Sequence, residues 1–212
     1  MNLQKRILLP TGFTLLLLAV RIIITGQLIY IFLAWNLFLA WVPFAISNKL
    51  ENNNTASGWK TGGLFFLWLL FLPNAPYIIT DFLHLKQRAP VPYWYDVLLL
   101  FSAAFNGLML GLLSLQSVEI FLTSKFGSRK ATLVILFSFF LCAFGIYIGR
   151  FLRWNSWDIL TNPTDLAKDI LDRLINPFDH FKTWSITILF GTFLSLIYFS
   201  VKSNISIKNN NR

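Results

Sequence analysis

Long apolar stretches are the feature that most limits what this chain can fold into. Crossing about 30 Å of hydrocarbon takes roughly 20 residues of helix at about 1.5 Å each. An α-helix also satisfies its backbone hydrogen bonds within one segment, as a bilayer requires. The chain is therefore predicted to be an all-α, polytopic integral membrane protein, with one helical domain over residues 1–202 and a disordered polar tail over 203–212. Six transmembrane helices are predicted, at about residues 7–24, 28–46, 61–80, 96–118, 131–150 and 184–201.

Composition supports this class and argues against others. Charged residues make up 13% of the 212 residues and hydrophobic residues 56%, whereas soluble domains carry about 25% charged residues. The net charge of +9 comes from Lys and Arg scattered at segment ends rather than gathered on one face. We therefore expect the lipid bilayer as partner and no nucleic acid.

Basic residues predict the orientation of the spans. With the N-terminus inside, ten of the 18 Lys and Arg residues lie in inner segments. Five of the outer eight lie in the long loop before the last span, counting Arg150 at its edge. Long loops weigh little in the positive-inside rule. We expect a protein of the cytoplasmic membrane with both termini in the cytoplasm. Arg21, near the end of the first span, is interpreted as a snorkelling side chain, with a buried functional charge as the alternative.

The third predicted span is interrupted near its outer end. In "LFLPNAPYIITDFLHL", residues 70–85, Pro73 and Pro76 remove two backbone donors and disfavour helix in the residues before them. The carbonyl groups freed there need new partners, and Asn74 is a candidate. The pattern predicts a proline-broken third helix, which either only shapes the bundle or lines a cavity.

Charged and polar side chains follow the outer ends of three predicted spans. Helix length, at about 1.5 Å per residue, brings them to one depth at the outer membrane surface. Asp81 and His84 resemble an acid–base pair or part of a metal site, since carboxylate and imidazole groups suit zinc or manganese. These two are the candidate catalytic residues, while the metal and any cofactor stay undetermined.

The other members of this set are candidates for holding an anion, because the guanidinium fork binds phosphate or carboxylate. They are Arg150, Arg153, Asn155, Asp158, Asp96 and Asn74. The alternative is a structural ion-pair network that joins the outer ends of the spans. Whether the protein is an enzyme is left open by these residues.

The long loop contains "TNPTDLAKDILDRLINP", which predicts a short amphipathic helix over 163–175. Asn162 can cap it, Pro163 suits its first position and Asp165 complements the helix dipole. Its apolar residues form one stripe; they are Leu166, Ile170, Leu171, Leu174 and Ile175. We expect an interfacial helix between spans five and six, with a lid over a site as the alternative.

Small and amide residues predict close contacts between helices. Gly107 and Gly111 in span four, and Gly145 and Gly149 in span five, have the spacing of close helix packing. The two spans could pack on each other, or the same spacing could support a homodimer. Asn36 and Asn106, near the middles of spans two and four, are expected to hydrogen-bond between helices.

Three motifs together resemble a known family. "LPNAPYIITDFLHL", a following "YD" and "YIGRFLRWNSWD" are similar to the bacterial integral-membrane family catalogued as domain of unknown function 1361. The resemblance covers about Trp59 to beyond Asp158. It implies a bacterial multi-pass membrane protein, with no established activity, substrate or cofactor. The matching positions are Pro73, Asn74, Pro76, Tyr77, Thr80, Asp81, His84, Asp96, Gly149, Arg150, Arg153, Asn155, Ser156, Trp157 and Asp158.

Three functional hypotheses remain. In the first, the outer polar cluster binds or processes an envelope or lipid-linked substrate. In the second, the protein is a small transporter or channel with the broken span lining the path. The middle of the bundle has almost no ionisable residues, which weighs against ion-coupled transport. In the third, it is an accessory or scaffold subunit whose cluster is structural.

Overall fold

A computed structural model describes the backbone of residues 3–52 and 58–210 and the side chains of 7–52 and 58–202. All regular elements in these ranges are helical, as predicted. A 3₁₀ segment, Ile78–His84, follows α4. The α-helices are α1 (Leu3–Thr25), α2 (Phe32–Asn52), α3 (Gly58–Phe71), α4 (Asn74–Tyr77), α5 (Tyr93–Phe126), α6 (Ser128–Phe151), α7 (Asp158–Thr161), α8 (Pro163–Ile175) and α9 (Phe181–Asn210).

Five helical segments in the described ranges are long and apolar enough to cross a membrane. They are Ile7–Thr25, Gly58–His84, Tyr93–Phe126, Ser128–Phe151 and Phe181–Lys202. The predicted second span is helical but is not among the five. Residues 29–31 form a turn, so α2 starts at Phe32 and ends in the polar sequence 47–52. Its continuous apolar part is therefore shorter than the sequence prediction of 28–46.

The third span is broken where the prolines predict. α3 ends at Phe71, and α4 starts again at Asn74. The amide of Ala75 donates to the carbonyl of Leu72 at 3.2 Å, one residue nearer than in a regular α-helix. This leaves the carbonyl of Phe71, which accepts from Asn74 Nδ2 at 3.0 Å. The predicted role of Asn74 as a partner for a freed carbonyl is confirmed.

Glycines let α5 lie close to this broken segment. A Cβ added to Gly107 would overlap the carbonyl oxygen of Ala75 and lie 2.8 Å from Ile78 Cδ1. One added to Gly111 would lie 3.3 Å from the Cβ of Ala75. Close packing at this pair is confirmed, but the segment against it belongs to span three, not to span five as the sequence suggested. Packing or dimerisation through Gly145 and Gly149 stays a prediction.

The chain divides into two compact units, Met1–Phe121 and Leu122–Arg212, so the division falls inside α5. In the first unit, α2 packs against α3 and α4, and its core includes Tyr30, Leu33 and Leu99, all fully buried. In the second unit, α6 packs along α9. The prediction of a single domain over 1–202 stays a prediction.

The predicted amphipathic helix is α8, with the bounds that the sequence indicates. Leu166 packs in a cluster with Tyr147, Ile148 and Trp154, whereas Leu171, Leu174 and Ile175 are exposed. Only part of the stripe is therefore covered by the second unit. The predicted Asn162 cap is not formed, because the Asn162 amide donates to the Asp165 carboxylate at 3.1 Å instead.

The last helix is longer than predicted. α9 continues to Asn210, whereas the sequence predicts an end near residue 201. Residues 211–212 lie outside the described part of the chain, and disorder of the polar tail stays a prediction.

Candidate functional site

The first unit buries an ion pair between its first helix and α5. Arg21 Nε donates to Asp96 Oδ1 at 2.6 Å, and Arg21 Nη2 donates to Oδ2 at 3.1 Å. The two side chains are 0% and 2% exposed. The snorkelling interpretation of Arg21 is therefore wrong, since the guanidinium is covered by protein and bound to a carboxylate. Its bidentate geometry is the strong form of such a pair.

Tyr30 lies beside this pair and contacts a second guanidinium. The Arg21 Cζ atom lies 4.5 Å from the centroid of the buried Tyr30 ring, and that of Arg88 lies 5.5 Å from it. Arg88 Nη1 donates to the Tyr30 hydroxyl at 2.9 Å and to the His84 carbonyl at 3.4 Å. The connections before α2 and before α5 are thus joined at one end of the first unit.

Positive charge exceeds negative charge in this group. Asp96 pairs with Arg21, whereas no carboxylate of the described residues lies within salt-bridge distance of Arg88. Nη1 of Arg21 is buried and has no hydrogen-bond partner within the described ranges. The group therefore contains two guanidinium groups and one carboxylate, which Arg21 binds, and Arg88 leaves it with an excess positive charge.

Asp81 and His84 lie on the 3₁₀ segment but differ in exposure. Asp81 is 1% exposed, and Asn36 Nδ2 donates to its Oδ2 at 2.8 Å. The His84 side chain is exposed, with its ring centroid 5.3 Å from that of Phe32. The interhelical role predicted for Asn36 is confirmed. The assignment of Asp81 and His84 as acid–base groups stays a prediction.

In the second unit, the segment after α6 turns sharply at Arg153. This exposed residue has φ 65, the left-handed conformation that glycine usually supplies at helix ends. The amide of the next residue, Trp154, donates back to the carbonyl of Ile148 at 3.3 Å and closes the end of the helix. Arg150 lies in the last turn of α6.

Asp158 stabilises the turn that follows. Its Oδ2 accepts from the Asn155 amide at 2.6 Å and from Asn155 Nδ2 at 3.2 Å. Its Oδ1 accepts from Thr161 Oγ1 at 2.9 Å. The backbone hydrogen bond from Asn155 is the main cause that lowers the pKa of Asp158, with the two side-chain donors adding to it. The predicted anion-binding residues Asn155 and Asp158 are therefore bound to each other.

Helix α8 is attached to the same segment through its own polar residues. Trp154 Nε1 donates to Asp169 Oδ2 at 2.7 Å. Arg173 Nη1 donates to the carbonyl of Asp169 at 2.6 Å, and Trp184 Nε1 donates to the carbonyl of Arg173 at 3.1 Å. The bond to Trp154 holds α8 against the loop after α6 and the bond to Trp184 holds it against the start of α9, whereas the bond from Arg173 to Asp169 lies within α8. The sequence pattern identified the helix but not these attachments.

Polar residues inside the first unit mostly join helices. Asn106 Nδ2 donates to the carbonyl of Pro10 at 3.1 Å and to Thr14 Oγ1 at 2.8 Å, which confirms its interhelical role. Trp68 Nε1 donates to Ser114 Oγ at 2.7 Å, and that hydroxyl donates to the carbonyl of Pro43 at 3.0 Å. These bonds stabilise the bundle.

No metal centre is formed within the described ranges, where no three His, Cys, Asp or Glu side chains come together. His180 instead pairs with one carboxylate, its Nε2 lying 2.7 Å from Asp172 Oδ2. Hydrogen bonds from Asn176 and then from His180 lower the pKa of Asp172.

Sequence reasoning missed Arg21, Tyr30 and Arg88 as members of a polar group. The sequence feature that could have indicated this group is Arg21, because a charged residue inside a span usually pairs with a second charged residue. Asp96 opens a span at the same predicted depth, yet nothing in the sequence indicates which charge it binds.

These apolar helices, with charges inside the bundle and at span ends, define an all-α multi-pass membrane protein. The model of the family described as "Protein of unknown function (DUF1361)" matches residues 35–197, and the chain belongs to this family. The predicted resemblance is thereby confirmed. Comparison with curated proteins and with solved structures finds no significant match.

Proposed function

We propose that this protein binds or processes an anionic envelope or lipid-linked substrate at the extracytoplasmic face of the bacterial cytoplasmic membrane. The proposal includes α2 as a sixth span and both termini in the cytoplasm. The observation that carries it is Arg153, an exposed arginine held in the left-handed backbone conformation.

This conformation costs a non-glycine residue about 1–2 kcal/mol, whereas glycine adopts it without steric cost. A helix end alone would therefore favour glycine at position 153. Backbone strain of this kind is concentrated at functional sites, where the surrounding structure maintains it. The Arg153 guanidinium is also exposed, and its fork suits phosphate or carboxylate.

The other residues predicted for this site support a binding role to different degrees. Arg150, in the last turn of α6, adds a second guanidinium to the same segment, and the Asn155–Asp158 turn sets its shape. Asp96 and Asn74 support the proposal less, because each already has a structural partner. The exposed His84, with Asp81 on the same 3₁₀ segment, is the group we assign to proton transfer if the substrate is processed.

The variant Arg153→Gly separates function from folding. We expect its free energy of unfolding to stay equal to that of the wild type or to rise by about 1 kcal/mol, because the strain is removed. We expect the retention of phosphatidylglycerol to fall. Native mass spectrometry would count this lipid on protein released from nanodiscs of phosphatidylcholine and phosphatidylglycerol.

Two controls make this test specific. Arg153→Gln removes the charge but keeps a strained side chain, so it should lose lipid without gaining stability. Lys168→Gln removes an exposed cation of α8 and should leave lipid retention unchanged. Unaltered retention in Arg153→Gly would show that Arg153 only terminates the helix.

The buried Arg21–Asp96 pair favours the scaffold alternative for the first unit, because a covered ion pair joins helices without meeting a ligand. Replacing both residues by apolar ones should leave a folded protein. Normal lipid retention in that double variant would assign the pair a structural role only.

A further inference from the structure

Arg88 has one edge of its guanidinium occupied and the other unused. An arginine carries five N–H donors, two of them on Nη1. Nη1 of Arg88 donates to the Tyr30 hydroxyl at 2.9 Å and to the His84 carbonyl at 3.4 Å. Its Nε and Nη2 make no hydrogen bond or ion pair within the described ranges. The group is thus oriented on one side and open on the other.

The Nε–Nη2 edge of Arg21 shows which kind of group this edge of a guanidinium binds. Arg21 Nε and Nη2 bind both carboxylate oxygens of Asp96, at 2.6 and 3.1 Å. Two parallel charge-assisted hydrogen bonds of this kind match carboxylate and phosphate oxygens. Arg88 presents this edge without a carboxylate partner among the described side chains.

Local charge and burial favour an anion at this edge. Arg21 and Asp96 cancel each other, and Arg88 leaves one positive charge beside the fully buried Tyr30 ring. The Arg88 side chain is half-buried, so it is shielded in part from water yet reachable from outside. A partly desolvated cation attracts an anion more strongly than an exposed one does.

The position of Arg88 in the chain indicates which anion it would bind. Arg88 lies between two candidate spans, four residues after the end of Gly58–His84 and five before the start of Tyr93–Phe126. Residues just beyond a span lie at the depth of the lipid headgroups. Phosphodiesters carry the negative charge there, and basic residues near the surface bind them.

We propose that Arg88, oriented by Tyr30 and the His84 carbonyl, forms a phosphate-binding site with its Nε–Nη2 edge. The ligand class is a phosphate group, either the phosphodiester of a lipid headgroup or free phosphate. Arg21 holds the Tyr30 ring in position from within the bundle and does not contact the ligand.

The test uses the full chain in a maltoside detergent, which carries no phosphate. Inorganic phosphate and short-chain phosphatidylglycerol are titrated separately and followed by calorimetry. We expect saturable binding of at least one probe, and Arg88→Gln should weaken it at least about tenfold, because two charge-assisted hydrogen bonds are lost. Binding of both probes identifies the phosphate as the recognised group, and binding of the lipid alone identifies a headgroup site.

Matched variants distinguish the fork from simple charge. Lys86→Gln removes an exposed cation two residues away and should change the affinity less than about twofold. Arg88→Lys keeps the charge but lacks the fork, so it should bind as weakly as Arg88→Gln. Tyr30→Phe keeps all charges but frees Nη1 of Arg88, and it should weaken binding several-fold.

The proposal is overturned if neither probe binds saturably, if Arg88→Gln and Lys86→Gln behave alike, or if Arg88→Lys binds like the wild type. Melting temperatures without phosphate show whether each variant is folded. If Arg88→Gln fails to fold, Arg88→Lys and Tyr30→Phe still test the geometry. Since Arg88 and Arg153 are tested by separate variants, either proposal can fail while the other stands.

Discussion

The two units of this protein use polar residues in opposite ways. In the first unit, Asp96 and Asp81 are buried and bind partners 75 and 45 residues away in sequence. In the second unit, Asp158 is only partly covered and binds residues three positions away on either side. Long-range buried pairs join helices, whereas short-range pairs shape a loop.

This difference separates residues that stabilise the fold from residues that can contact a ligand. A buried pair is costly to break from one side, because the remaining charge is left buried without its partner. An exposed, locally held loop can present side chains such as Arg153 at small cost to the fold. Similar predicted depth in the membrane therefore does not imply a similar role.

Breaking the buried Arg21–Asp96 pair is the strongest test of this difference between the two units. Arg21→Met leaves the Asp96 carboxylate buried without its partner, and we expect the free energy of unfolding to fall by about 3–5 kcal/mol. Reversible unfolding in detergent micelles measures this loss. Asp158→Asn is the matched change in the second unit and should cost far less.

Replacing both Arg21 and Asp96 tests whether the loss comes from an unpaired buried charge. Arg21→Met with Asp96→Leu leaves no buried charge, so the double variant should recover most of the lost stability. A single Arg21→Met variant as stable as the wild type would contradict the structural role of the pair.

A smaller loss is expected from Gly107→Ala. The added Cβ would overlap the Ala75 carbonyl, and relieving such overpacking costs about 1–3 kcal/mol. Gly63→Ala is the control, because its Cβ would meet no atom within 4 Å and alanine favours helix by about 1 kcal/mol. Thermal denaturation of both variants in micelles measures the difference. Equal melting temperatures would show that α5 can move away from the broken segment.

The smallest effect is the acid sensitivity of the Asp158 turn. Hydrogen bonds, above all that from the Asn155 amide, lower the pKa of Asp158 below that of the unfolded chain. Its contribution to stability is therefore complete above the ordinary aspartate range, near pH 4, and is lost as the pH falls through the lower folded-state pKa.

Melting curves of the wild type and Asp158→Asn test this over about pH 7 to pH 3. We expect the variant to melt slightly earlier at neutral pH and the two curves to converge in acid. Asp179→Asn, which removes a carboxylate without a side-chain hydrogen bond in the described ranges, is the control. A gap that widens in acid would contradict the role of this carboxylate.

Local features of the fold could be predicted from the sequence. Pro73 and Pro76 break the third span because proline lacks an amide donor, and Asn74 satisfies a freed carbonyl. The apolar stripe of α8 and its Pro163 start likewise follow from helical spacing. Each of these depends on residues within a few turns of one another.

The start of α2 was missed for a local reason. Apolar residues before Phe32 extend the hydrophobic run, although residues 29–31 form a turn. Hydropathy alone does not distinguish apolar helix from apolar turn. Tyr30 is buried in this turn beside Arg21 and Arg88, so its surroundings depend on packing.

The candidate site was predicted only in part. Residue type and depth along a helix point to Asp81, His84, Arg150 and Arg153. Depth is a one-dimensional quantity, and it says nothing about direction around the helix axis. It therefore could not show that Asp81 is buried against Asn36 while His84 is exposed.

The sequence by itself determined the class of protein, the broken span and the amphipathic helix, because length, hydropathy and proline act locally on the backbone. Only the tertiary structure decided which charge pairs with which. Arg21 and Asp96 are 75 positions apart in the sequence, and their contact depends on how α1 and α5 are rotated and packed. Two charges in a low-dielectric bundle must find partners, but the choice of partner is made in three dimensions.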